Sequence, residues 1–136
     1  VPPLNHIPRT KRGVVSYSAN DIADRLNAKA IVTFTTSGDT ARRVARLHPE
    51  LPLLVFTPVQ QVRSQLAVTW GVETFLCPDV YSTDDMIRTV DEQLLSVEKY
   101  NLGDTMVLVA GTPPGVAGTT NTIHVHQLGE DTRNPQ

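Results

Sequence analysis

Two short stretches of this 136-residue sequence carry groups that could bind an anion. The first is TTSGDT, Thr35 to Thr40. It follows an apolar run and opens a segment with helical periodicity. Thr35, Thr36, Ser37 and Thr40 offer hydroxyls, and Gly38 lets a ligand approach the backbone. A helix starting here adds unpaired amide hydrogens and the positive end of its dipole. Together these make a phosphate cradle. Asp39 works against strong anion binding, because it puts negative charge into the first turn. The plainer reading is that Ser37 caps a helix and that Thr36 or Thr40 decorates the turn. Composition alone does not separate the two.

The second stretch is GTPPGVAGTTN, Gly111 to Asn121. A loop of about 11 residues in a small domain is more often functional than a bare connector. Its alternative is a wide β-turn connection. Other candidates are weaker. His124 and His126 alternate onto one strand face and could both reach a metal, but no third ligand is positioned to complete the site, so a structural role is the default. Asp84 and Asp85 could pair as carboxylates, although helix capping explains both. Cys77 reads as a buried spectator thiol. Arg42, Arg43 and Arg46 read as a solvated helix face. There is no Walker loop, no GxGxxG and no GxSxG. No catalytic constellation is visible.

Elements must position these loops. Prolines and glycines cut the chain into alternating helical and strand segments. Residues 1 to 13 read as an extended, proline-containing leader. A helical stripe runs from about Val14 to Ala28, followed by the strand AIVTF at Ala30–Phe34. A helix follows from Asp39 to His48, stopped by Pro49. The strand LLVF lies within Pro52–Thr57. Thr57 then reads as an N-cap with Pro58 at the first helical position. That helix runs to Trp70, and Gly71 supplies a left-handed stop. Glu73–Cys77 is a strand, and Ser82–Asp85 resembles a capping box opening a helix to Lys99. Strands at Thr105–Ala110 and Thr122–Leu128 complete the series, and residues 132 to 136 read as a frayed tail.

This order predicts an α/β three-layer sandwich: a five-stranded, mostly parallel sheet with its last strand antiparallel and helices on both faces. Ligands in such sheets bind outside the carboxyl ends of the strands, where both loops fall.

Composition narrows the function. Forty per cent hydrophobic and 19% charged residues are ordinary globular values, and the formal charge is −2. Nucleic-acid and membrane-surface partners have no charge support. A transmembrane helix needs about 20 apolar residues, and the longest runs have about five. The first residues lack a signal peptide's apolar stretch. One cysteine cannot make an internal disulfide, which fits a cytoplasmic setting.

The residues together resemble a family. AKAIVTFTTSGDTARRVARLHPELPLLVFTP, VRSQLAVTWGVETFL, the STDDMI helix start and GTPPGVAGTTNTIHVHQLGED are similar to the C-terminal domain of pyruvate kinase, of the actinobacterial type. The resemblance covers about residues 9 to 131. It implies a linker over 1–13, the domain over 14–131, and a parent enzyme that moves a phosphoryl group from phosphoenolpyruvate to ADP with magnesium and potassium. That chemistry, and both ions, belong to a barrel domain not present in these residues. The chain alone should be inactive and hold no cofactor of its own.

In relatives this domain binds an allosteric effector and builds a homotetramer interface. The loop matching Thr35, Thr36, Ser37, Gly38, Asp39 and Thr40 holds a phosphate. The loop containing Pro114, Gly115, Gly118 and Thr119 closes over the sugar. Arg88 stands near the place of a further phosphate-gripping arginine. Relatives regulated by fructose 1,6-bisphosphate often carry a basic residue where Thr36 or Asp39 stands, and some an arginine where Pro113 stands. A sugar monophosphate or AMP therefore fits this chain better than the bisphosphate. Two other readings stay open: an assembly module with an empty site, and a free-standing phosphate-binding domain.

Overall fold

Buried β-branched and apolar runs account for the centre of the sheet. The computed structural model describes residues 11–46, 51–70, 72–80, 82–110 and 122–129, and at 11–16, 39, 40, 43, 69 and 70 the backbone alone. Its elements are α1 (Lys11–Arg25), β1 (Ala30–Phe34), α2 (Asp39–Arg46), β2 (Leu53–Thr57), α3 (Gln60–Trp70), β3 (Glu73–Leu76), α4 (Thr83–Leu95), β4 (Thr105–Ala110) and β5 (Thr122–Gln127). The strands form one sheet in the order β3-β2-β1-β4-β5. The first four are mutually parallel, and β5 runs antiparallel to β4. This is the expected α/β sheet with its last strand reversed.

Every residue of β1 and β2 is buried, as are Met106 to Ala110 of β4. Strands covered on both faces read as continuous apolar runs rather than alternating ones. One face packs Leu54, Phe56, Met106 and Leu108 against Met86, Ile87, Val90 and Leu94 of α4. The other packs Ile31, Val55, Val107 and Val109 against Ala19 and Ala23 of α1, Ala41 and Val44 of α2, and Leu66 of α3. Three helices therefore cover one face and one covers the other. Across the α4 face Phe34, Phe56 and Phe75 stack in register, with ring centroids 5.1 and 4.8 Å apart. Such pairs add to the sheet beyond the area they bury.

Several boundaries differ from the sequence expectation. The first helix begins at Lys11, so the expected leader is too long by three residues. It ends at Arg25 rather than Ala28, because Asn27 takes a left-handed φ of 53° and Ala28 N–H bonds back to Ala23. Thr57 does not cap α3 directly. Its hydroxyl accepts the Val59 N–H at 3.2 Å, and the helix starts after Val59, whose carbonyl receives the Arg63 N–H. The helix expected to reach Lys99 stops at Leu95 with Ser96 as its C-cap. Strand β5 ends at Gln127, one residue early. The cap of α4 is as expected: the Ser82 hydroxyl accepts the Asp85 N–H at 3.1 Å. The stops assigned to Pro49 and Gly71, and the tail, lie outside the described residues.

Candidate functional site

Chain order sets where a ligand site would fall. From β1 the chain steps through α2 and α3 to β2 and β3 on one side; it then crosses through α4 to β4 on the other side of β1. The reversal lies between β1 and β4, the topological switch point where open α/β sheets bind ligands. Thr33 pairs with Val109, so the two strands end level with each other. Neighbouring parallel strands lie about 4.8 Å apart. Phe34 and Ala110, the last residues of β1 and β4, therefore lie side by side at one end of the sheet, and a stretch of interest follows each in sequence. These are the two stretches singled out by composition. Residues 111–121, and with them Pro114, Gly115, Gly118 and Thr119, lie outside the described residues. The described residues on either side of them are joined: the Thr122 hydroxyl donates to the Ala110 carbonyl at 2.7 Å.

The first stretch is a tight turn. Thr35 is buried, its N–H bonds to the Phe56 carbonyl, and its hydroxyl accepts the Gly38 N–H at 2.7 Å. Gly38 has φ +94°, a conformation that side-chain-bearing residues rarely adopt. Its carbonyl receives the Arg42 N–H, which begins the bonding of α2. Thr36 and Ser37 are half-buried in the turn. Asp39 and Thr40 are the first residues of α2, whose leading amides have no acceptor within the helix.

Arg42 departs from the sequence expectation. It is not part of a solvated face. Its Nη1 donates to the Ser37 carbonyl at 3.3 Å, and a Cβ placed on Gly38 would meet the guanidinium at 3.0–3.1 Å. A helical side chain leans toward the N-terminus, so a residue four positions after the turn glycine can reach back over it. The G-x-x-x-R spacing was the available signal. A positive charge thus lies at the turn, where composition had suggested only hydroxyls and one acid.

The other candidates sit on other elements. Arg88 is on α4, across the sheet from α2, where its Nη1 donates to Asp85 at 3.1 Å. Cys77 is buried at the end of β3, and burial, aided by Asp79, pushes its thiol up to about 11. His124 and His126 share a face, as expected from alternation, with ring centroids 6.3 Å apart. Among the described residues no three His, Cys, Asp or Glu side chains gather as a metal site. Instead His126 bonds Asp91, a partner 35 residues away that spacing cannot reveal.

Comparison with known proteins decides the family. The family model "Pyruvate kinase, alpha/beta domain" matches residues 14–126. The chain belongs to this family. The pyruvate kinase of Corynebacterium glutamicum is 71% identical over 133 residues, 98% of this chain and 28% of that protein. That of Mycobacterium tuberculosis H37Rv is 65% identical over 130 residues, 96% of this chain and 28% of that protein. The Staphylococcus aureus enzyme is 31% identical over 122 residues, 90% of this chain and 21% of that protein. This pyruvate kinase domain therefore spans less than a third of the length of those curated relatives. No described helix is long and apolar enough to cross a membrane.

Proposed function

We propose that this domain is the regulatory and assembly part of a cytoplasmic pyruvate kinase and seats a phosphorylated effector between residues 35–40 and 111–121. The observation that supports the reading is the level ending of β1 and β4 at the switch point, the strands after which the two segments follow in sequence. The phosphate would lie on the leading amides of α2 and the hydroxyls of the turn, with Arg42 as its charged partner. With Asp39 in its sequence and Pro113 where some relatives carry an arginine, the site suits one phosphate better than two. We therefore favour glucose 6-phosphate, another sugar monophosphate or AMP over fructose 1,6-bisphosphate. The phosphoryl transfer itself, with its magnesium and potassium, belongs in this proposal to the remainder of the enzyme. Regulation further requires that the effector bind one state of the enzyme more tightly than another.

Self-association also has support. Strand β5 is at the sheet's edge and Val125 on it is exposed, so backbone and apolar surface are both offered to a second copy. An assembly role without effector binding is the competing reading.

Calorimetry on the full-length enzyme separates them. Glucose 6-phosphate or AMP should bind saturably, and Arg42→Ala should weaken binding about 10- to 100-fold, the loss of a hydrogen bond to a charged group. Tight binding of fructose 1,6-bisphosphate would overturn the monophosphate preference. No binding of any of the three would favour assembly alone.

A further inference from the structure

Outside the crevice, one carboxylate ties together parts of the chain far apart in sequence. Asp91 sits on α4, and its Oδ1 lies 2.8 Å from Nε2 of His126 on β5. The same oxygen accepts the Gly129 N–H at 3.0 Å. An oxygen already receiving an amide hydrogen is an acceptor, so Nε2 is the donor. The imidazole is 1% exposed and the carboxylate 22%. Hydrogen bonds to a charged acceptor are the stronger kind, and a buried donor that loses its partner is costly.

We infer that Asp91 and His126 form a latch that holds edge strand β5 and its closing turn against α4, and that β5 opens as a local unit when the latch is broken. Three further observations support this. Among the described residues, strand β5 has a neighbour on one side only, β4. Its burial is uneven: Val125 and Gln127 are exposed while His126 is buried. Its far end is bonded separately, through Thr122 to Ala110. The strand thus has an anchor at each end and modest apolar cover between them. Such elements open below the global unfolding free energy. The latch would set how firmly the edge strand is held for any contact that uses it, whether or not an effector binds in the crevice.

Amide hydrogen exchange on the full-length enzyme tests the inference. In Asp91→Ala, exchange of the β5 amides bonded to β4, and of Gly129, should rise about 5- to 100-fold, while amides in β1 and β2 keep their protection. Chemical rescue identifies the atom. His126→Gln places an amide nitrogen near the position of Nε2 and should retain most of the protection. His126→Asn reaches only as far as Nδ1 and should behave like Asp91→Ala. Asp91→Asn keeps an acceptor oxygen without the charge and should fall between. Unchanged β5 exchange in Asp91→Ala would overturn the latch. So would an equal rise across all strands, or equal behaviour of the Gln and Asn variants.

Discussion

Replacing Gly38 with alanine tests the turn on which the crevice depends. At φ +94° an L side chain is strained, at a cost of roughly 1–2 kcal/mol. Alanine also restricts the unfolded chain, which offsets about 0.4–1 kcal/mol of that cost. The added Cβ meets the Arg42 guanidinium at 3.0–3.1 Å. That group ends a flexible side chain and can move aside, so the contact adds little to the cost but shifts the guanidinium off the turn. Taking the middle of each range, the net expectation is a loss of about 0.8 kcal/mol. For a domain of this size that lowers Tm by about 2–6 °C, readable by circular dichroism melts. Phosphate affinity of the full-length enzyme should fall as well, because both the turn and Arg42 are disturbed. The sign is the decisive part. At a site with ordinary negative φ, glycine-to-alanine replacement stabilises by about 0.4–1 kcal/mol. A Tm equal to or above that of the parent would therefore refute the turn geometry and the placement of Arg42.

Further outcomes follow from the α4 side of the sheet. Ser82→Ala removes the hydroxyl that accepts the Asp85 N–H, and should cost about 1 kcal/mol in thermal melts. The Cys77 thiol, raised from 9.0 to about 11, should react slowly with thiol reagents at neutral pH until the domain unfolds. Because the folded value is the higher one, the stability this thiol contributes is complete below about 9.0 and is lost as pH rises toward 11. Cys77→Ala should flatten that part of the stability profile relative to the parent chain.

What the sequence made legible was the part governed by local pattern. Runs such as AIVTF and LLVF are too apolar and β-branched to be anything but covered strands, and they lie within one residue of their expected bounds. The Ser82 cap is local chemistry and was equally visible. Helix ends were harder, since Asn27 stops α1 by adopting a left-handed conformation that glycine more often supplies. Lys11 to Gly13 carry no apolar stripe, so the first turn of α1 was hidden. The turn at Thr35 to Gly38 was legible from its glycine and hydroxyls. Arg42 was not, because a basic residue on a helix reads as solvated until the direction of the preceding turn is known. The Asp91–His126 pair depends on how α4 packs against β5, which no spacing in the sequence encodes.

The proposed site is defined by where an effector's phosphate lies, and a crystal structure of the full-length enzyme with glucose 6-phosphate or AMP measures that directly. The phosphate should lie within hydrogen-bond reach of the turn from Thr35 to Thr40 and the leading amides of α2, with the Arg42 guanidinium beside it and residues 111–121 against the rest of the ligand. A phosphate bound elsewhere in the domain, or a crevice left empty at saturating ligand, would contradict the central claim.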